Sequence, residues 1–360
     1  MQGSKDVPMN CKVLDILQCP NCGSKSFSFN VFEGAPEDIR EGVVWCDRLD
    51  WFPVERRVLE FLPRDLEYRS ERIQFQDKYA DQLSACGLLA RAEPENARST
   101  DALDPIQAQQ RHFDWYAEND QQAYNSYAAM PFWRIVDLRT FATWNRRIQP
   151  NLEAGEAPRL LLDVGCAQGR SSLGIAQRGI RVIGFDISKR LAEQAYLNFE
   201  KLPGGPEFND FIVADGSHFP FQPGVFDYVL VYGVLHHLPD PRVACKEIAR
   251  VLKSGGVYFG SENNRTVLRV IFDLLQRMAP AWHEEAGAQP LIGRRDFADW
   301  FAGSEVNLAI SYTVFVPPHL VNMLGRNIGA GLVAASDYVL KALPVVREQA
   351  GLIVIEGQKN

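Results

Sequence analysis

From residue 159 the chain alternates short, apolar, β-branched runs with amphipathic stretches. The runs are RLLLDVG (159–165), RVIGFDI (181–187), DFIVAD (210–215), FDYVLVY (226–232) and GVYFGS (256–261). Between them, SSLGIAQRG (171–179), LAEQAYLNFEKL (191–202) and PRVACKEIARVLK (241–253) read as helices. Apolar strands alternating with helices predict an α/β fold, a parallel sheet covered on both faces. VNLAISYTVFV (306–316) and GLIVIEGQK (351–359) predict two further strands. The segment between those two, 319–346, has mixed apolar character and predicts helices that cover a pocket or make a partner surface.

Ahead of this rhythm the pattern differs. Residues 1–65 form a block with a Cys pair, several aromatics and short apolar runs. Residues 66–110 are charged and include AEPENARSTDALDP (92–105), which reads as a linker. Residues 111–150 are rich in aromatics, among them Phe113, Trp115, Trp133 and Trp144, on a stretch expected to be helical. This stretch is expected to pack on the following domain, to close over an active site as a lid, or both. The expected organisation is therefore 1–65 as a small domain, 66–110 as linker, 111–150 as helical lid and 151–360 as catalytic domain, with an insertion at 317–350. At 360 residues the chain is longer than one ordinary domain needs.

Composition narrows the class. The hydrophobic share of 46% and charged share of 23% are those of a soluble globular protein. A net charge of -7 argues against a long polyanion such as nucleic acid as the partner. The N-terminal MQGSKDVPMN lacks the apolar core of a signal peptide. No apolar run reaches the ~18 residues of a bilayer span. Seven scattered cysteines suit a reducing compartment better than a disulfide framework. A cytoplasmic location is expected, with no transmembrane segment; oligomeric state is left open.

The chemistry concentrates at strand ends. Leu161-Leu162-Asp163-Val164-Gly165-Cys166-Ala167-Gln168-Gly169-Arg170 is a buried strand that ends in an acid, turns through glycines and enters a helix. Such a turn lets a ligand approach the backbone, and the helix start points free N–H groups at it. The second strand ends in Asp186, placed to take both hydroxyls of a ribose. The third ends in Asp215, followed by Gly216 and Ser217, and is placed to accept from an adenine amine. Any one of these acids alone would read as a solvated cap; three at successive strand ends do not. A nicotinamide dehydrogenase would also use Asp186, but its turn reads Gly-x-Gly-x-x-Gly, which this turn does not match.

The order and spacing of these segments, with Leu235-His236-His237-Leu238-Pro239-Asp240-Pro241 and Arg250-Val251-Leu252-Lys253-Ser254-Gly255-Gly256, resemble the class I methyltransferases, within them the ubiquinone/menaquinone methyltransferase-like group. The resemblance is close over about 159–260 and looser to the end. It implies a Rossmann-like seven-stranded sheet closed by an antiparallel hairpin, with S-adenosyl-L-methionine as cofactor. Asp163, Gly165, Cys166 and Gly169 would frame the methionine part, Asp186 and Ile187 the ribose, and Asp215, Gly216 and Ser217 the adenine. The backbone around Tyr232 and Gly233 would line the amino-acid end. Ala167 stands where a glycine often does, which is tolerated if its φ is negative. His236 and His237 are candidates for taking a substrate proton; lining the pocket is the alternative. The expected function is methyl transfer to an O or C nucleophile of a small molecule in a biosynthetic pathway. The alternatives are RNA or protein methylation, or a non-catalytic interaction module. No Asn/Asp-Pro-Pro-Tyr/Phe signature of amine methylation follows the fourth strand. Phe113–Trp133 and His319–Val346 are expected to close over the methyl group from opposite sides, a dimer or membrane contact being the alternative for the later segment.

Residues Leu14 to Gly23, with Cys19-Pro20-Asn21-Cys22, and Val44 to Val54, with Cys46, resemble the zinc-ribbon-like domain of the tRNA-methyltransferase activator family. That resemblance implies zinc held by Cys19, Cys22 and Cys46. Leu49 occupies the place of a fourth Cys, so Asp47 or Asp50 would complete the shell, or the fold stands without metal.

Overall fold

The computed structural model describes residues 11–88, 105–119, 130–149, 158–202, 209–267, 269–278 and 290–360. The strands, in chain order, are Phe27–Ala35 (β1), Asp38–Cys46 (β2), Trp51–Glu55 (β3), Val58–Glu60 (β4), Leu160–Val164 (β5), Arg181–Asp186 (β6), Asp210–Val213 (β7), Phe226–Tyr232 (β8), Leu252–Asn263 (β9), Val306–Thr313 (β10) and Leu352–Lys359 (β11). They join in one sheet of order β1-β2-β3-β4-β7-β6-β5-β8-β9-β11-β10.

Strands β5 to β9 are the apolar runs of the sequence, and their residues are almost all buried because helices cover both faces. They pair in parallel, and β11 returns antiparallel between β9 and β10. The expected seven-stranded sheet with its closing hairpin is therefore present. Strand order reverses beside β5, since β6 lies on one side and β8 on the other. The crevice at the C-terminal ends of these strands is where open α/β sheets bind ligands.

The N-terminal strands extend this same sheet. Strands β1 to β4 form an antiparallel meander, and β4 pairs in parallel with β7 through Leu59↔Ile212 and Glu60↔Val213. Leu17 bridges to Phe221. Within the stretch read as linker, Arg69–Lys78 (α1) and Ala80–Ala85 (α2) are helical, because Phe75 and Leu83 pack into a cluster with Val43 and Trp51. Residues 89–104, most of the expected linker sequence, lie outside the described residues.

The expected lid stretch contains Pro105–Asn119 (α3) and Pro131–Trp144 (α4). The remaining helices are Arg170–Ala176 (α5), Lys189–Glu200 (α6), Pro241–Val251 (α7), Arg269–Met278 (α8), Arg294–Trp300 (α9) and Pro318–Leu340 (α10), the last broken at Gly325 (φ 75°). Helix α10 packs on α4: Arg139 meets Asp337 at 2.8 Å and the Phe132 amide donates to Asn322. Among the described residues no helix is long and apolar enough to cross a membrane.

Candidate active site

Strand β5 delivers Asp163 to the crevice, 2% exposed, where Ser172 of the first α5 turn donates to it at 2.5 Å. Burial pushes the Asp163 carboxyl up to about 7. The chain then turns through Gly165 (φ 61°) and Gly169 (φ 73°). A Cβ on Gly165 would lie 2.6 Å from Val234, so only glycine lets β5 and β8 end side by side here. Ala167 departs from the expectation of a negative φ: it sits at φ 46°. In this conformation its amide donates to Asp186 at 2.9 Å.

Asp186 ends β6. Its other carboxylate oxygen accepts from the Ser188 amide at 2.9 Å, and burial raises its carboxyl to about 6. Asp215 follows β7, accepts from the Ser217 amide at 2.8 Å, and is also raised by burial. Gly216 lies under Leu238. Cys166 is buried, and its amide donates to Phe185, tying the glycine turn to β6. Ile187 accepts at its carbonyl from the Tyr68 hydroxyl. Tyr232 ends β8 and donates to Asp137 of α4 at 2.8 Å, while Arg170 of α5 meets the same carboxylate at 3.3 Å. Gly233 follows at φ 70°. The acids and turn residues singled out in the sequence thus converge on one rim, the C-terminal edge of β5 to β8.

His236 and His237 continue that rim, their rings 4.1 Å apart. His236 is 7% exposed and its Nδ1 lies 2.6 Å from Glu262 of β9. The Glu262 carboxylate also accepts from the Val234 and Leu235 amides. It thereby fixes the loop after β8, a role that sequence reading missed; its only trace was an acid inside an apolar strand. His237 meets the edge of Phe113, and Gln109 donates to its carbonyl. Helix α3 therefore lies against the rim, and its Asp114 accepts from Ser188, Tyr68 and the Arg190 amide. Helix α10 packs instead on α4. Residues 120–129, part of the expected lid, lie outside the described residues.

A second cluster lies in the N-terminal strands. Ligand atoms of Cys19, Cys22, Cys46 and Asp50 all fall within 4.8 Å of one another. Cys22 and Cys46 sulfurs are 3.6 Å apart, and the Asp50 carboxylate lies 3.9 Å from Cys19 and 3.8 Å from Cys46. Asp50, not Asp47, comes to the cysteines because Leu49 takes a positive φ of 61° and turns the chain inward. Three sulfurs and one carboxylate at this spacing fit the donor set and size of a tetrahedral zinc site. Arg64 pairs with Asp50 from outside. Burial raises the Cys19 and Cys46 thiols, which favours keeping them neutral unless a cation is present.

Comparison with known proteins adds to this geometry. Residues 162–260 match the family described as a methyltransferase domain. The matched residues include Asp163, Asp186 and Asp215. The ubiquinone biosynthesis O-methyltransferase of Azoarcus sp. is 30% identical over 158 residues, 42% of this chain and 62% of that protein. That of Idiomarina loihiensis is 36% identical over 107 residues, 30% of this chain and 43% of that protein. The chain thus spans about half the length of these curated relatives. A solved structure of a phosphoethanolamine N-methyltransferase from Haemonchus contortus is 16% identical, with a TM-score of 0.49, and covers 72% of this chain and 61% of that one.

Proposed function

We propose that the chain transfers the methyl group of S-adenosylmethionine to an oxygen or carbon nucleophile of a small molecule, in the cytoplasm. The observation that carries this reading is the set of three acids, Asp163, Asp186 and Asp215, at the ends of adjacent strands around a two-glycine turn. S-adenosylmethionine, when bound, supplies an electrophilic sulfonium methyl group. Asp186 accepts from the ribose hydroxyls, with Ile187 beside them. Asp215, Gly216 and Ser217 hold the adenine end. Asp163, Gly165, Cys166 and Gly169 frame the methionine part, and Tyr232 and Gly233 line its amino-acid end.

Methyl transfer needs alignment of nucleophile, methyl and sulfur more than it needs acid or base, and holding the acceptor supplies much of the rate. His236 and His237 are rim groups able to take the acceptor's proton. The relatives are named as ubiquinone biosynthesis O-methyltransferases, which favours an oxygen nucleophile as the acceptor to try first. Calorimetry with S-adenosylmethionine and S-adenosylhomocysteine is expected to show near-stoichiometric binding. Folded protein that binds neither at millimolar concentration would refute methyl transfer.

We also propose that Cys19, Cys22, Cys46 and Asp50 hold one zinc ion of structural use, within an N-terminal zinc-ribbon-like unit spanning 1–65. Support comes from the chemistry and spacing of the four side chains. Elemental analysis of purified protein should find about one zinc per chain, and a Cys46→Ser variant should lose it. A metal-free chain with unchanged melting on adding zinc would rule this out.

A further inference from the structure

Strand β10 is one outer edge of the sheet, and on its core-facing side Leu308 and Ile310 are only partly covered. A groove of about 590 Å³ runs along it, floored by Phe301, Leu308 and Ile310 and flanked by Arg294, Lys341 and Arg347. That volume lies within the range of small-molecule pockets. Neighbouring strands are ~4.8 Å apart, so β10 stands roughly 14 Å from β8 and farther from β5 to β7. The groove shares no residue with the methyltransferase rim.

Three features describe its occupant. First, the floor is apolar, so the ligand carries an apolar body. Second, three cations gather here in a chain of net charge -7, against the sign of the whole molecule. Lys341 is countered by Asp337 at 3.0 Å and Arg294 by Glu348 at 3.3 Å. Asp337 is shared with Arg139 at 2.8 Å, so the two acids do not cancel the cations and the groove stays positive, the complement of an anion. Third, Tyr312 stands in the wall, 7% exposed, with its hydroxyl buried and without a hydrogen-bond partner among the described residues. A buried hydroxyl left unpaired costs free energy that a bound acceptor would recover. Of the surrounding charges the same hydroxyl feels Glu348 most, then Arg294 and Arg347, so it sits at the charged part of the groove.

We infer that this groove is a second ligand site, separate from methyl transfer, for a small amphipathic carboxylate. The acid group would meet Arg347 and Arg294 and accept from Tyr312, and the apolar body would lie on Phe301 and Leu308. The inference does not depend on the methyltransferase reading.

The test is calorimetry on the full chain with decanoate, against decyltrimethylammonium as the same tail with the opposite charge. Decanoate should bind saturably and the cation should not. The double variant Arg294→Ala/Arg347→Ala should weaken decanoate about tenfold or more, as loss of charge-assisted contacts implies. Tyr312→Phe should weaken it by about threefold, the scale of one neutral hydrogen bond. Absence of saturable decanoate binding at millimolar concentration overturns the site, as does equal binding of both head groups or indifference to the double variant. S-adenosylhomocysteine affinity is measured on the same samples and should stay unchanged. If that cofactor product fails to bind while decanoate binds, methyl transfer falls and this site stands.

Discussion

Asp186 and Asp215 both end strands, yet they are built in differently. Both Asp186 oxygens accept backbone amides, one of them from the glycine turn itself. Asp215 accepts one amide from its own loop. Asp186→Ala should therefore weaken S-adenosylhomocysteine binding by roughly 2–4 kcal/mol, since it removes a bidentate acceptor and releases the turn. Asp215→Ala should cost less; calorimetry giving the reverse order would show the two roles misassigned. The raised acids also predict a pH effect on the ligand-free protein. With Asp163 near 7 and Asp186 near 6 in the fold, and ordinary carboxyls unfolded, the folded state binds more protons from about pH 4 to 7. Stability contributed by these groups is thus present at low pH and falls as pH rises through that window. Asp163→Asn should flatten the fall in melting temperature between pH 5 and 7.5; an unchanged slope would place the titration elsewhere. At the turn, Ala167 and Gly165 should respond oppositely to exchange. Ala167→Gly relieves a left-handed alanine, worth ~1–2 kcal/mol, against ~0.5–1 of added chain entropy, and should leave stability equal or slightly higher. Gly165→Ala drives a methyl into Val234 and should cost more than about 2 kcal/mol by urea melting. Similar losses in both variants would contradict the turn geometry.

At the scale of elements, Lys189 ties three pieces together. It opens α6, is 2% exposed, and lies within 2.6 Å of Glu55 of β3, 3.4 Å of Glu60 of β4 and 2.7 Å of Glu71 of α1. Burial pushes the Glu60 carboxyl up despite this ammonium. Lys189→Met leaves acids buried without their cation and should cost roughly 3–5 kcal/mol. Hydrogen exchange should show the loss first in α1 and β4; a variant as stable as the parent would mean the acids simply protonate at little cost. None of this was legible in the sequence. The strands β5 to β9 were, because a strand buried on both faces writes itself as an unbroken apolar run. Asp163, Asp186 and Asp215 were, because each closes such a run. Glu262, Asp114 and Lys189 were not, since each meets partners far along the chain and local pattern carries no record of them. The lid stretch was legible as helix, but the docking of α3 on His237 and of α10 on α4 depends on contacts that spacing alone does not specify.

For the molecule as a whole, the main feature that sequence reading could not supply is continuity. The N-terminal block has its own composition, which invites a boundary near residue 65. Yet β4 pairs with β7, the Gln18 amide donates to Pro220 and the Gln222 amide to Ile16. One core cluster includes Val13, Leu17, Phe52 and Phe61 together with Phe219, Phe221 and Val229. Strand pairing between segments about 150 residues apart is set by matching edges, and a period-2 pattern gives no address for the partner. Cooperativity follows from the shared core. An independent domain would have its own core and a polar linker, whereas here separation would expose the β7 edge and the aromatic side chains around Phe221. The full chain should therefore unfold in a single transition, with amides of β2 and of β6 exchanging at the same global free energy. A chain beginning at residue 66 should not fold stably, because its β7 edge would be bare and prone to pairing with other copies. Two resolved transitions in the full chain, or a stable and monomeric fragment from residue 66, would show instead that the continuous sheet joins units able to stand apart.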